Sequence, residues 1–436
     1  MAFRKLISAL TLLFAFLCPP LSFSAVDKKT AAAIDREIEK IKTEMVKIRR
    51  LIHLDPQLPG REQETAKNIV VRLAGLGLEM RTNVAKSGVV ALLRGAQPGP
   101  IVGFRADMDA VPIQELAEVP FKSANNGVMH AHGHDIHIAI AIGTAYVLNA
   151  VRDRIKGGVK FIFQPGPDPA LDDEESGAAQ MIKEGVLDDP PVGVMFGLHV
   201  WPDTLGQLYS APGPILAASD TFEITIKGRS AQGSQPQEGV DAIVLAAQAI
   251  NAFQSIISRA VDPTDPSLLT VGRIEGGSKS DLLAERVRME GILRTVSDAT
   301  RRKIQRLIEA SVKGTAQASG GDYALTFKHS IPAVSNHPEL YASMLPLFND
   351  ALGDRSVQPL GPQMMADDFA FYGNNIPSLF MFLGVRNPRL PAVPLYSPNF
   401  NPDERSIAIG IKILSHIILD YLDQQSRLKD AAEVIK

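Results

Sequence analysis

The sequence contains four closely spaced histidines, and neutral imidazoles are among the commonest metal ligands in proteins. His130, His132, His134 and His137 lie in one short segment and are four of the nine histidines in the chain. Histidines at positions i and i+2 ahead of a helix can direct two ring nitrogens at one ion, and Gly133 permits the tight turn between them. The alternative is a polar loop whose histidines cap the helix or bond to one another.

Two further segments supply candidate partners for this histidine cluster. Asp107 and Asp109 follow an apolar run a little earlier in the chain, and carboxylates placed there can orient the imidazoles. His199 ends the apolar run 192–198, and open α/β sheets bind their ligands at the carboxyl ends of strands. A lone histidine there can equally be a hydrogen-bonded core residue. Together these residues predict a metal centre.

Hydrophobic periodicity predicts the elements that would position these residues. The helical patterns cover 30–54, 65–76 and 138–148, and the strand patterns cover 89–94, 101–105 and 159–164. Such alternation of strands and helices is typical of an α/β domain built on a largely parallel sheet.

The pattern changes near residue 213. The runs 221–226, 241–257, 268–274, 286–293, 299–318 and 323–329 have the order strand, helix, strand, strand, helix, strand. This order predicts a split-βαβ, ferredoxin-like α+β domain over 214–330. Residues 25–213 and 331–436 then form one discontinuous α/β domain, which ends with a helix over 407–424.

Composition excludes several classes of protein. The chain has 436 residues, of which 45% are hydrophobic, so wholesale disorder is excluded and two or three domains are expected. A net charge of −3 gives no electrostatic reason to expect a nucleic-acid partner. The single cysteine, Cys18, excludes a disulfide scaffold and a site made of several thiolates.

Residues 1–24 have the pattern of a secretory signal peptide. Arg4 and Lys5 precede the apolar run 6–18, which is too short to span ~30 Å of hydrocarbon, and the polar, small residues 22–24 suit a cleavage site. We therefore predict cleavage after Ser24, a periplasmic or secreted mature chain, and no membrane association of that chain. The alternative is a lipid anchor on Cys18, which Leu17 disfavours.

Several segments resemble one family of hydrolases, in the same order along the chain. They are 49–58, 103–112, 129–137, 163–165, 197–202 and 367–369. The sequence is similar to the metal-dependent amidohydrolases that include hippurate hydrolases, N-acyl-amino-acid amidohydrolases and indole-acetyl-amino-acid hydrolases. The resemblance implies a two-metal, aminopeptidase-like catalytic domain with an inserted lid and dimerisation domain. It also implies one or two divalent ions (Zn, Mn or Ni), a homodimer, and a small carboxylated amide as substrate.

The resemblance further implies which residues hold the metal. His132 replaces the family's ligating cysteine, whereas His134 and His199 match two ligating histidines. Asp168 replaces a ligating glutamate with a shorter carboxylate, and Tyr396 replaces a ligating histidine. A neutral phenol with a pKa of ~10 is a poor ligand for a divalent ion.

The residue at the family's general-base position cannot act as a base. The catalytic glutamate of the family falls on Pro167, and the candidate substitutes are Asp107, Asp109, Glu174 and Glu175. A general base contributes ~10²–10⁴ to the rate, so its loss predicts low turnover.

Two positions in the lid complete the comparison with the family. Gln232 replaces a histidine that steadies the oxyanion in the partner's site, and Arg294 is retained as a candidate for binding a substrate carboxylate. Two hypotheses follow from the whole set of residues. The chain is an exported amidohydrolase with an eroded site and reduced or altered activity, or it is a catalytically inactive relative that binds a small ligand or a partner protein.

Overall fold

The computed structural model describes residues 26–167, 175–352 and 356–434. The predicted signal peptide lies outside these ranges. The strands are β1 (Glu79–Val84), β2 (Gly88–Arg94), β3 (Gln97–Asp107), β4 (Lys156–Gln164), β5 (Val192–Thr204), β6 (Leu208–Tyr209), β7 (Gly213–Leu216), β8 (Ala218–Lys227), β9 (Ser267–Gly276), β10 (Arg286–Thr295), β11 (Asp322–Ile331), β12 (Val334–Asn336) and β13 (Ser378–Arg386). The α-helices are α1 (Lys28–Leu54), α2 (Gln63–Leu73), α3 (His134–Ala150), α4 (Gly177–Lys183), α5 (Ala242–Ser255), α6 (Asp298–Ala318), α7 (Pro338–Leu352), α8 (Ala370–Asn375) and α9 (Arg405–Val434).

Seven strands form a central sheet in the order β1-β2-β4-β3-β5-β13-β6. The four middle strands, β4, β3, β5 and β13, are parallel to one another. The prediction of a parallel core is therefore right for the middle of the sheet. The sheet as a whole is mixed, because β1, β2 and β6 pair antiparallel at its edges.

The helices pack on this sheet through their apolar faces. In α1 the buried residues Ile34, Ile38, Ile41, Met45 and Ile48 recur at helical spacing, so one stripe of the helix faces the core. Helix α3 is buried along nearly its whole length, between α1 and α9 on one side and the sheet on the other. No helix in the three described ranges is long and apolar enough to cross a membrane.

A second, four-stranded antiparallel sheet has the order β11-β8-β10-β9. Helices α5 and α6 cover one face of it around a separate core, which includes Phe222, Ile224, Phe253 and Ile304. The chain order β-α-β-β-α-β is the order predicted from the sequence, and the α/β fold class with an inserted α+β unit is confirmed. Strands β7 and β12 flank this unit in the sequence and pair with each other in a short antiparallel ribbon. The exact domain boundaries stay a prediction.

Candidate metal-dependent active site

The candidate site forms where the carboxyl ends of the middle strands meet. Strand β3 ends at Asp107, β4 ends at Gln164, and β5 carries His199 near its end. Helix α3 begins at His134 beside them. Since parallel strands bring their carboxyl ends to one edge, residues far apart in sequence meet there.

Gly133 allows the histidine segment to approach β5. It has a left-handed backbone with φ of 85° directly before α3, and a Cβ there would lie 2.4 Å from Val200 Cγ2. Any side chain at this position would therefore both strain the backbone and clash with β5. The sequence-based assignment of Gly133 to a tight turn agrees with this geometry.

A buried network of charged side chains fixes the start of α3. Asp135 Oδ2 lies 2.6 Å from Arg49 Nε and 2.7 Å from His53 Nδ1. His53 Nε2 also lies 3.2 Å from Glu115 Oε1. All four side chains are almost fully buried, so these contacts hold the residue after His134 in one position.

His137 has both ring nitrogens engaged within the protein. The backbone N–H of Val200 donates to His137 Nε2 at 2.9 Å, so that nitrogen is an acceptor. The hydrogen must then sit on Nδ1, which lies 2.5 Å from Asp107 Oδ1. His137 therefore holds the carboxylate of Asp107 in place.

Asp107 and Asp109 flank His134. Asp107 Oδ2 lies 3.1 Å from His134 Nε2, and Asp109 Oδ1 lies 3.0 Å from His134 Nδ1. Asp107 Oδ2 also accepts from Arg105 NH1 at 2.7 Å. Burial opposes ionisation of Asp107, but the positive charge of Arg105 and the hydrogen bond from His137 hold the pKa of Asp107 well below its usual range. Asp107 is thus a poor candidate for a general base.

His132 and His199 retain ring nitrogens that can bind a metal. His132 Nδ1 is buried and has no hydrogen-bond partner within the described chain. His199 Nδ1 lies 2.8 Å from the carbonyl oxygen of Val200, to which it donates, so its Nε2 lone pair stays free. Burial lowers the pKa values of His132, His134 and His199, so the imidazoles are neutral, as metal ligation requires.

Two overlapping groups of side chains have the spacing of metal ligands. One consists of Asp109, His132 and His134, and the other of Asp107, His134, His137 and His199. Within each group the candidate ligand atoms lie within 4.8 Å of one another. The orphaned nitrogen of His132 and the mixed imidazole and carboxylate donors fit a divalent ion.

His130 lies outside this arrangement. It is fully buried, and neither ring nitrogen has a hydrogen-bond partner in the described parts of the chain. Burial lowers its pKa to about 4. Of the four clustered histidines, only His132 and His134 therefore present nitrogens at the candidate site with His199.

Sequence reasoning missed a second cluster of charged side chains, which lines the same cavity as the candidate ligands. Arg105 NH2 lies 3.0 Å from Asp367 Oδ1 and 2.8 Å from Asp368 Oδ1, and Gln164 Nε2 donates to both oxygens of Asp368. Burial raises the pKa of Asp367 to about 6. The segment 367–369 was recognised as a motif, but its sequence does not reveal that Arg105 is its partner.

Pro167 lies in the wall of the site. A cavity of about 230 Å³ is lined by Asp109, His132, His134, His199 and Pro167, among others. Asp168 and Glu174 lie outside the described residues. Glu175 is exposed, pairs with Lys183 at 2.6 Å, and does not line this cavity. Of the four candidate substitutes for the base, the structure brings Asp107 and Asp109 to the site.

Tyr396 also lines the cavity, although 51% of its surface is exposed. Its ring lies edge-on to His132 with 5.2 Å between the centroids, and its backbone has a left-handed φ of 62°. The phenol is partly shielded from water by the surrounding protein. This desolvation and the nearby carboxylates of Asp109 and Asp367 raise the pKa of Tyr396 to about 12. The side chain therefore keeps its proton at neutral pH.

The inserted unit made of β8–β11, α5 and α6 is called the lid below, and its two candidate residues have different positions. Arg294 is half-buried, and its NH1 donates to the carbonyl oxygen of Met364 at 3.4 Å, next to Met365 in the cavity wall. Gln232 is exposed, forms a bridge with Leu282, and does not line the cavity of its own chain.

Comparison with known proteins decides the family. A sequence model described as Peptidase family M20/M25/M40 matches residues 103–420. The chain belongs to this family. The resemblance inferred from the motifs is thereby confirmed, and the M20 chain shares the family's metal-dependent amidohydrolase-like character.

Individual relatives in the M20 family match most of the length of this chain. An N-acyl-L-amino acid amidohydrolase of Geobacillus stearothermophilus is 37% identical over 71% of this chain and 82% of its own length. Thermostable carboxypeptidase 2 of Saccharolobus solfataricus is 32% identical over 88% of this chain and 97% of its own length. The crystal structure of the Bacillus subtilis YXEP protein, a dinuclear metal-binding peptidase of the M20 family, has a TM-score of 0.74 at 30% identity. It covers 88% of this chain and 99% of that chain.

Proposed function

We propose that this M20 chain binds N-acyl amino acids or similar small carboxylated amides and hydrolyses them slowly. The observation that carries the proposal is the position of Pro167 in the wall of a cavity whose metal-ligating side chains are otherwise assembled. A divalent ion bound there would polarise the amide carbonyl and activate a water molecule. Proline cannot take the proton of that water, so the chemical step loses its usual base.

The carboxylate of the substrate has a candidate partner in Arg294. Within the described parts of the chain no acidic side chain forms an ion pair with this half-buried guanidinium. Arginine stays charged when partly buried and binds carboxylates through two parallel hydrogen bonds. Arg294 therefore supports an anionic ligand close to the site.

A catalytically inactive binding protein is the second candidate function. It is supported by the coincidence of two substitutions, Pro167 at the base position and Tyr396 at a ligand position. The high pKa of Tyr396 makes a phenolate ligand unfavourable at neutral pH. On this hypothesis the cavity binds a carboxylated ligand without cleaving it.

A turnover and binding experiment separates these functions. The purified mature chain is assayed on a panel of N-acyl amino acids, with and without a chelator, and ligand binding is measured by calorimetry. Slow, chelator-sensitive hydrolysis supports the first function. Binding with no turnover supports the second, and the absence of both contradicts the two proposals.

We also propose that the mature chain is exported and forms a homodimer through its lid. The lid exposes the large apolar side chains of Ile243 and Val244 on α5 and of Ile274 on the edge strand β9. Exposed apolar groups beside a free strand edge favour association with a second protein surface. Gln232, which is exposed and does not line the cavity of its own chain, would then be available to the partner.

A further inference from the structure

We propose that this chain binds a single divalent ion on Asp109, His132 and His134, in place of the pair of ions found in dinuclear relatives. The inference deepens the proposed function and rests on it for the location of the site. The protein's own hydrogen bonds occupy some of the candidate metal-binding atoms and leave others free to bind an ion.

His137 cannot contribute a ligand. Its Nε2 lone pair already accepts the Val200 N–H at 2.9 Å, and its Nδ1 bears the hydrogen that faces Asp107 Oδ1 at 2.5 Å. Losing the first bond would leave the buried N–H of Val200 without a partner, which is unfavourable for a buried polar group.

Asp107 supports another residue instead of binding an ion itself. It faces three donors, on His137, Arg105 and His134. A carboxylate that accepts from one ring nitrogen of a histidine fixes its tautomer and directs the other nitrogen at a metal. His134 therefore presents Nδ1, which already lies 3.0 Å from Asp109 Oδ1.

When His137 and Asp107 are excluded as metal ligands, one complete group of candidate ligands remains within the described residues. It consists of Asp109, His132 and His134, whose ligand atoms lie within 4.8 Å of one another. The orphaned Nδ1 of His132 shows that this imidazole has no competing structural bond there. Two histidines and one carboxylate form the ligand set of many catalytic zinc sites that hold one ion.

Among the residues that the structure describes, a second ion would find too few ligands beside His199 and Tyr396, which line the same cavity. There His199 retains a free Nε2, but Tyr396 offers only a phenol at the position of the ligating histidine in the family. Three protein ligands are usual for a catalytic zinc ion, and the described side chains supply one free nitrogen at this place. His199 is left to complete the shell of the single ion or to bind substrate.

Metal stoichiometry tests the inference independently of activity. The full mature chain is stripped with a chelator, titrated calorimetrically with Zn²⁺, and analysed for bound zinc by elemental analysis after gel filtration. We expect one equivalent per chain, lost in His132→Gln and in Asp109→Asn. The matched control is His329→Gln, an exposed histidine of the lid, which should keep one equivalent.

The outcomes are distinguishable from those of the activity test. Two equivalents in the parent chain, no zinc uptake, or one equivalent retained by both site variants would overturn the single-ion assignment. Circular dichroism verifies that each variant is folded, and the absorption of the Co²⁺-loaded protein reports the ligand shell. A chain that binds one ion and hydrolyses nothing would refute slow hydrolysis alone, whereas hydrolysis with two ions would refute this inference alone.

Discussion

Glu62 Oε1 accepts a hydrogen bond from the backbone N–H of Gly166 at 2.8 Å. Ser87 Oγ donates to the other carboxylate oxygen at 2.9 Å. Glu62 is fully buried, and burial raises its pKa to about 7. A carboxyl group that is half protonated near neutrality thus lies directly behind the loop that carries Pro167.

The first prediction concerns the pH dependence of stability. The folded chain keeps the Glu62 proton up to a pKa of about 7, whereas an ordinary glutamate releases it near 4.5. The folded state therefore binds more protons between these values, and the free energy of unfolding falls as the pH rises through that window. Over ~2.5 pH units at ~1.4 kcal/mol per unit, the loss is on the order of 3 kcal/mol. We expect Glu62→Gln to flatten this slope in urea unfolding between pH 5 and pH 8.

The control for this prediction is Glu64→Gln, an exposed glutamate in the first turn of α2, the helix that Glu62 immediately precedes. It should keep the slope of the parent chain. An unchanged slope in Glu62→Gln would show that Glu62 is not the group responsible.

The second prediction concerns the missing base. A chain with Pro167→Glu, Asp168→Glu and Tyr396→His should hydrolyse N-acyl amino acids ~10²–10⁴ times faster than the parent, because a carboxylate regains access to the attacking water. The measurement is kcat with saturating metal. The matched control replaces Pro167 by Gln in the same background, which has the same size without a base. Equal rates for the two triple variants would contradict the assigned role of position 167.

The third prediction concerns Arg294. Arg294→Gln should weaken binding of carboxylated substrates ~10- to 100-fold, since a charged hydrogen bond contributes about 1.5–3 kcal/mol. Binding of the corresponding carboxamides, measured by calorimetry, should hardly change. Arg286→Gln, at an exposed position on the same strand, serves as the control. Equal losses for acids and amides would indicate a structural role for Arg294.

The fourth prediction concerns self-association through the lid. Ile274 is 52% exposed on the edge strand β9, and Ile274→Asp should convert a dimer to a monomer in light scattering coupled to gel filtration. Val71→Asp places the same charge on another exposed apolar residue, outside the lid, and should leave the mass unchanged. A monomeric parent chain would contradict the proposed dimer.

The strongly periodic elements could be predicted from the sequence. The predicted helix 30–54 and the observed α1 (Lys28–Leu54) nearly coincide, because the apolar stripe that buries α1 is present in the sequence itself. Strand β1 (Glu79–Val84) was not predicted, since its residues are largely exposed and it is defined by pairing with β2. Strand β13 (Ser378–Arg386) was not resolved within the segment after residue 331, where only general α/β patterning was predicted.

Spacing indicated the histidine cluster but could not divide it into roles. His132 and His137 look equivalent in the sequence, yet one has an unpartnered nitrogen and the other has both nitrogens engaged. The difference depends on contacts with β3 and β5, far away in the chain. For the same reason, the sequence could not show that Arg105 joins Asp107 to Asp367 and Asp368.

The backbone of Val200 serves two histidines at once, because its N–H donates to His137 and its carbonyl oxygen accepts from His199. One peptide unit on each side of this residue thus decides where two imidazole protons reside. Replacing the valine side chain would leave both bonds in place, so a substitution scan would score position 200 for packing alone. Only a shift in the register of β5 would move the Val200 backbone and break its hydrogen bonds to His137 and His199.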